Sequence, residues 1–229
     1  MTMDTPLIRK RELRAVVGSD REVVAAPPSW SHAVPRATSP HVLRFCGELH
    51  PTNEPVMVPV RPHLLYGYGL SPLGRCYKGV ADYLKQVGGT YQHGWMLWES
   101  EGIYLRAFHH CVHRDGRLLT DVSPQFHRHI LFLPTSAPGV PDEAYQEDLQ
   151  QGDPYGVKCR YFPLSDSPMV RRIIALHLAK EDHERYSPEW ERLLDEACSL
   201  EQEYHELSEA KAASTSRRRL SKPKLMLKR

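Results

Sequence analysis

The chain has 229 residues, of which 41% are hydrophobic and 25% are charged, and its formal net charge is +2. This composition is typical of a soluble globular protein and excludes a wholly disordered one. No apolar run approaches the roughly 18 residues that a membrane-spanning helix needs, and the charged N-terminus lacks the apolar core of a secretory signal peptide.

The cysteines indicate a reducing compartment. They are five in number and widely spaced: Cys46, Cys76, Cys111, Cys159 and Cys198. An odd, dispersed set without a secretory signal argues against a disulfide framework. The sequence therefore predicts reduced thiols in a cytoplasmic protein.

The first 165 residues divide into two segments. Residues 1–40 hold several prolines among small and charged residues without sustained periodicity, so we expect them to be poorly ordered. Residues 41–165 alternate between short apolar runs and turn signals, which predicts an α+β core. A helix is expected at about 75–87, where apolar residues recur at helical spacing before two glycines. Strands are expected at 41–49, 55–62, 90–99, 102–114, 117–122, 127–133 and 158–164.

The remaining residues have a helical character. Pro168 suits the first turn of one helix, and Ser187 with Pro188 suits the cap and first position of a second. An apolar stripe from Trp190 to Leu207 indicates a packing surface. We therefore expect a helical extension over 166–213.

The last sixteen residues, 214–229, contain seven basic residues and no acidic one. The other 213 residues then carry 23 basic and 28 acidic side chains, a net charge of −5. A basic tail on an acidic body could contact an acidic partner, nucleic acid or an anionic membrane, but runs of charge are common, so we expect residues 214–229 to be a solvated, disordered tail.

The stretch from Cys76 to Asp121 carries the candidate chemistry. Cys76 stands at the start of the expected helix, where unpaired N–H groups and the helix dipole favour a thiolate. The expected strand 102–114 carries His109, His110 and His113. Asp121 follows a hairpin that Asp115-Gly116 indicates. A carboxylate on a neighbouring strand can hold an imidazole in the tautomer that accepts the thiol proton.

This stretch, about fifty residues long, resembles uncharacterised bacterial and phage proteins of the papain-like/transglutaminase-like cysteine hydrolase superfamily. The matching features are Cys76, Gly94-Trp95, Trp98-Glu99, His109-His110 and Asp121-Val122-Ser123-Pro124. The resemblance implies an α+β fold in which a helix bearing the cysteine packs on an antiparallel sheet. It also implies Cys76 as nucleophile, His110 as base, with His109 as the alternative base, and Asp121 as the orienting acid.

The implied activity is attack of a thiolate on an amide or ester carbonyl, as in a peptidase, an amidase or a deamidase. Two departures favour a second hypothesis, a non-catalytic binding module on the same fold. Gly79 stands where the related pattern often has Asn, and no Gln precedes Cys76 to supply an oxyanion-hole amide.

A third hypothesis is a metal-binding protein. His109, Cys111 and His113 alternate along one expected strand, and His127 and His129 alternate along another. Imidazole and thiolate suit zinc, but the chain has neither a CxxC pair nor an HExxH helix, so no metal is assigned. The sequence also lacks a P-loop and a dinucleotide fingerprint, and no cofactor is expected.

Overall fold

A computed structural model of the protein describes residues 32–61, 76–123, 127–135, 158–184 and 187–220. The chain forms two compact units, Met1–Phe162 and Pro163–Arg229. The first unit contains an antiparallel sheet with helices, and the second consists of helices in its described part. The α+β class with an antiparallel sheet, expected from the sequence, is confirmed.

The described residues contain four helices and seven strands. The helices are α1 (Pro40–Leu49), α2 (Cys76–Val87), α3 (Pro168–Lys180) and α4 (Pro188–Leu220). The strands are β1 (His32–Ala33), β2 (Val56–Pro59), β3 (Thr90–Ser100), β4 (Tyr104–Asp115), β5 (Leu118–Thr120), β6 (His129–Pro134) and β7 (Arg160–Pro163).

Five strands form the main path of the sheet, in the order β2-β6-β3-β4-β5, while β1 pairs with β3 and β7 pairs with β4. The longest ladder is antiparallel and joins every residue of β3 to β4. An isolated parallel bridge joins Val60, just after β2, to Asp121, just after β5. The two strands at the ends of the path therefore meet beside Asp121.

The two faces of β4 pack against different groups. Val112 belongs to a buried cluster with residues of β2, β3 and β6, and Phe108 packs against the same cluster. Cys111 belongs to a second buried cluster with the first turns of α2. Because successive side chains of a strand point to opposite faces, the helix that begins at Cys76 covers the Cys111 face of β4.

The segment 41–49 is a correction to the sequence analysis, which expected a strand there. It lies within helix α1, which begins with Pro40 in the first turn. Val42, Phe45 and Cys46 are its buried residues. Their spacing of three and four is that of one helical face, whereas a half-buried strand would bury every second residue. The β-branched and aromatic content of a short segment misled the assignment.

The hairpin between β4 and β5 follows the turn signal with a shift of one residue. Asp115 pairs with Leu118, so Gly116 and Arg117 form the loop. Gly116 has a φ of 56°, a conformation that suits glycine. This tight turn returns the chain along β4 and brings the residues after β5 back toward the middle of that strand.

The second unit joins α3 and α4 through a buried polar network. Ser167 caps α3, since its side chain accepts from the amide of Met169. His177 Nε2 lies 2.7 Å from Glu201 Oε1, and Lys180 Nζ lies 3.1 Å from His177 Nδ1. Both ends of this network are buried, so the charges neutralise one another between the two helices.

The sequence analysis expects a disordered tail from residue 214, and α4 continues to Leu220. Residues 221–229 lie outside the described part of the chain, as do most residues of the segment 1–40. None of the helices in the described ranges combines the length and the apolar composition that crossing a bilayer requires.

Candidate active site

Cys76 is the first residue of α2 and is 6% exposed. It belongs to the buried cluster that also contains Val80, Cys111 and Val122. At the start of a helix, the first backbone N–H groups have no partner within the helix and present a partial positive charge. This position favours negative charge on the Cys76 sulfur or on a group bound next to it.

His110 and Asp121 form a buried pair. His110 Nε2 lies 3.2 Å from Asp121 Oδ2, and their side chains are 3% and 0% exposed. The two atoms are within ion-pair distance, but in the described part of the chain Nε2 has no partner that satisfies the angular criteria for a hydrogen bond. The contact is therefore best described as a close charge–charge interaction.

The charge balance at His110 favours the imidazolium. Burial by itself lowers the pKa of His110, but the Asp121 carboxylate and the Cys76 sulfur oppose this effect. The net result is a pKa well above that of a free imidazole. Cys76, His110 and Asp121 are thus brought together as one electrostatic group.

Asp121 is held by backbone contacts on two sides. Its amide donates to Pro59 O at 2.9 Å, and its carbonyl accepts from the Arg61 amide at 2.7 Å. The Ser123 amide donates to Asp121 Oδ1 at 2.8 Å. Because Oδ1 is engaged by Ser123, Oδ2 is the oxygen that faces His110.

The His110 ring is also packed between aromatic side chains. Phe108 and Phe132 approach it at 6.2 and 6.3 Å between ring centroids, both at steep angles. Directly opposite His110 on β3 is Gly94. A Cβ at Gly94 would lie 2.3 Å from Leu133 O and 2.5 Å from the Phe132 ring. Glycine is therefore required for β6 to bring Phe132 against His110.

His109, the alternative base, lies on the opposite face of β4. Its Nδ1 is hydrogen-bonded to the Tyr77 hydroxyl, and its ring stacks on Tyr77 and His93 at 6.0 and 6.1 Å. Burial, together with the nearby His93 and His110, lowers the pKa of His109 to about 4. The structure therefore brings His110, and not His109, to the buried carboxylate.

The alternating histidines of the metal hypothesis have other contacts. His113 Nε2 lies 2.8 Å from Gly88 O, and His127 packs on Trp98 at 5.1 Å between ring centroids. Within the ranges that the structure describes, no three His, Cys, Asp or Glu side chains are arranged to hold a metal ion. The geometry gives no support to a site formed by His109, Cys111 and His113.

A polar cleft of about 540 Å³ lies in the first unit, and its lining does not include Cys76, His110 or Asp121. It is lined by Thr52, Asn53, Glu54, Gln92, Arg114, Pro134 and Thr135. Gln92 is opposite Val112 on β4, so it lies two residues along the sheet from His110.

Sequence reasoning gave no role to three residues at this site: Tyr77, Phe132 and Ser123, of which Ser123 was named only as part of the matching segment after Asp121. Each contacts a candidate site residue or the histidine beside it. Their residue types carry no chemical signature at these spacings. The only available signal was adjacency, since Tyr77 follows Cys76 and Ser123 is two residues after Asp121.

Comparison of the chain with protein-family models, with curated proteins and with solved structures finds no match.

Proposed function

We propose that the protein is a cysteine-nucleophile hydrolase or acyl transferase acting on an amide or ester bond, related to the papain-like/transglutaminase-like cysteine hydrolases. The observation that carries the proposal is the electrostatic group of Cys76, His110 and Asp121 at the start of α2. A thiol, an imidazole and an orienting carboxylate, in that order of contact, are the parts that nucleophilic acyl transfer needs.

The first half-reaction starts with the thiol proton of Cys76 already on His110, because the nearby carboxylate and sulfur favour the imidazolium. Because Nε2 faces Asp121, Nδ1 is the ring nitrogen that takes this proton. The thiolate then attacks the carbonyl carbon, and the negative charge moves to the carbonyl oxygen. Backbone N–H groups at the start of α2 would stabilise that oxyanion, in place of the side-chain amide that the sequence lacks.

The intermediate collapses when the carbon–nitrogen or carbon–oxygen bond to the leaving group breaks. The leaving amine or alcohol takes the proton from His110, and an acyl thioester on Cys76 remains. In the second half-reaction, His110 accepts a proton from water or from an acceptor amine as that group attacks the thioester carbonyl. The carbon–sulfur bond then breaks, which releases the acyl product and restores the Cys76 thiolate beside the His110 imidazolium. Asp121 stabilises the imidazolium in both halves without taking its proton.

The test is acylation by an activated ester. We expect p-nitrophenyl acetate to release p-nitrophenol with transfer of the acetyl group to Cys76, located by peptide mass mapping and removed by hydroxylamine as a thioester. Cys76→Ala should abolish the transfer. Cys198→Ala is the matched control, because burial raises the pKa of the Cys198 thiol to about 11 and leaves it a poor nucleophile.

Two results would contradict the proposal. One is acetylation of other residues at a rate that Cys76→Ala does not change. The other is an acetyl–Cys76 thioester that forms equally fast in His110→Ala, since the base would then have no part in the reaction. A stable thioester that neither water nor any amine releases would favour the binding-module hypothesis.

A further inference from the structure

Tyr77 connects the two elements that carry the proposed nucleophile and base. It follows Cys76 at the start of α2 and is 5% exposed. Its hydroxyl is hydrogen-bonded to Nδ1 of His109, which precedes His110 on β4. One hydrogen bond thus joins the residue after the nucleophile to the residue before the base.

The hydrogen bond between Tyr77 and His109 fixes the position of the start of α2 relative to β4. Consecutive helical residues differ by about 100° around the axis, and consecutive strand residues point to opposite faces. Tyr77 meets His109 on the face of β4 that α2 covers, and the Cys76 sulfur, at the first position of the helix, is close enough to act on the charge of the His110 ring. Any sliding of α2 along β4 would change both contacts together.

The other end of α2 has its own attachment to β4. Tyr83 packs edge-on against His113 at 4.7 Å between ring centroids, and His113 Nε2 lies 2.8 Å from Gly88 O just after the helix. The stability of the helix–strand packing therefore does not depend on Tyr77 alone. What Tyr77 adds is a directional contact at the end that carries Cys76.

The protonation states suit this role. His109 is a neutral imidazole at neutral pH, because burial and its histidine neighbours lower its pKa to about 4. A neutral ring has one nitrogen that donates and one that accepts, and a tyrosine hydroxyl can do either, so the two groups can form a hydrogen bond in either tautomer.

We propose that Tyr77 is a positioning residue that, through its hydrogen bond to His109, sets the distance between the Cys76 sulfur and the His110 ring. The inference rests on the proposed function, because it assigns Tyr77 a role in the pairing of nucleophile and base. A displacement of about 1 Å at a reacting group can cost up to about 100-fold in rate.

The test is the rate of Cys76 alkylation by iodoacetamide as a function of pH, measured with the thermal midpoint of each variant. We expect Tyr77→Phe to lower the rate at neutral pH by about tenfold and to make its pH profile resemble that of His110→Ala. Tyr83→Phe, the same change near the far end of α2, should leave the rate unchanged.

The variants of His109 keep the test decisive if Tyr77→Phe is poorly folded. His109→Gln retains a hydrogen-bond acceptor for Tyr77 and should keep most of the rate, whereas His109→Phe should lose as much as Tyr77→Phe. The double variant Tyr77→Phe/His109→Phe should be no slower than either single variant. Additive losses, or an unchanged rate in a folded Tyr77→Phe, would overturn the inference.

The two proposals fail differently. If His110→Ala leaves Cys76 alkylation unchanged, the base assignment fails, whatever Tyr77→Phe does. If His110→Ala slows alkylation and Tyr77→Phe does not, the proposed function stands and the positioning role of Tyr77 is wrong.

Discussion

Two consecutive histidines on β4, His109 and His110, differ in charge because their neighbours differ. Burial lowers the pKa of both rings. His110 gains the Asp121 carboxylate and the Cys76 sulfur, which together outweigh burial. His109 is repelled by His93 and His110, which lowers its pKa further than burial alone does. A charged and a neutral imidazole can therefore stand side by side without mutual repulsion.

Asp121→Asn should lower the pKa of His110 and slow alkylation of Cys76 while leaving the fold intact. The amide can still accept from Ser123 through its oxygen, but the charge that favours imidazolium is gone. The same change costs about 10⁴ in a serine protease, and we expect about 10- to 100-fold here because a thiol depends less on the third residue.

The measurements for this variant are ¹H–¹⁵N NMR of the His110 ring across pH, and alkylation kinetics. Glu99→Gln is the control, because Glu99 lies near another histidine, His41, at 3.8 Å on the surface. An unchanged His110 titration in Asp121→Asn would show that the carboxylate does not act on the ring.

Protein stability should fall as the pH rises above about 6.5, the pKa of an unfolded histidine. The pKa of His110 is raised in the folded state, so its protonation stabilises the fold fully below about 6.5. That contribution is lost as the pH rises through the higher folded value, by at most about 1.4 kcal/mol per pH unit for one proton. Urea unfolding of the wild type and of His110→Gln at several pH values measures it, and equal slopes would contradict the prediction.

His109 should affect the stability of the protein at acidic pH. Its folded pKa of about 4 lies below the unfolded value, so the unfolded chain binds the proton more readily between about 6.5 and the folded value. Stability is therefore lost as the pH falls through this range. In the same urea unfolding series, His109→Gln should reduce the loss of unfolding free energy at acidic pH. An unchanged loss would show that other groups cause it.

At the scale of elements, the site is the meeting point of one helix start, one strand and one strand end. α2 brings Cys76 with its N-terminal N–H groups, β4 brings His110, and the hairpin after β4 returns Asp121 to it. The bridge from Asp121 to Val60 then fixes the returning chain against β2. The close approach of β6 to β3 at Gly94 completes the packing around His110.

Gly94→Ala should destabilise the protein by about 1–3 kcal/mol, the cost typical of overpacking a core. The added Cβ would meet Leu133 O, a backbone atom that cannot move aside without shifting β6. Gly47→Ala is the matched control, because a Cβ there meets nothing within 4 Å and alanine favours a helix. Urea unfolding of both variants checks the prediction. If Gly94→Ala is as stable as Gly47→Ala, β6 can shift to accommodate the added Cβ at little cost.

At the scale of the whole molecule, the buried part of α4 is shorter than the helix itself. In the second unit, α3 and α4 share the buried network of His177, Lys180 and Glu201. Beyond Glu201, the described side chains of α4 up to residue 214 are partly or fully exposed. Tertiary packing therefore stabilises the first half of α4 much more than the second.

Deletion of residues 214–229 should leave the thermal midpoint nearly unchanged. The segment begins after the buried part of α4 and contributes seven mutually repelling basic residues. Glu201→Ala should instead cost about 3–5 kcal/mol, because it removes the carboxylate from a buried network that contains the Lys180 ammonium and the His177 ring. Differential scanning calorimetry of both variants checks the contrast, and a large loss on deletion would show that the tail docks on the protein.

The sequence by itself determined the local elements. Helical spacing before Gly88-Gly89 marked α2, and Asp115-Gly116 marked the hairpin, because periodicity and turn chemistry are properties of neighbouring residues. The same local signals failed at α1, where a short segment carried strand-like residues on a helical face. The candidate residues Cys76, His110 and Asp121 were also named from residue type and order.

Only the tertiary structure decided which histidine meets the carboxylate and what holds it there. The choice between His109 and His110 depends on which of the two rings meets Asp121, and the sequence could not say which face of β4 the returning chain would approach. The contact of Tyr77 with His109, the approach of Phe132 over Gly94 and the bridge of Asp121 to Val60 join residues far apart in the chain. Such contacts are set by how strands and helices pack, which no local pattern encodes.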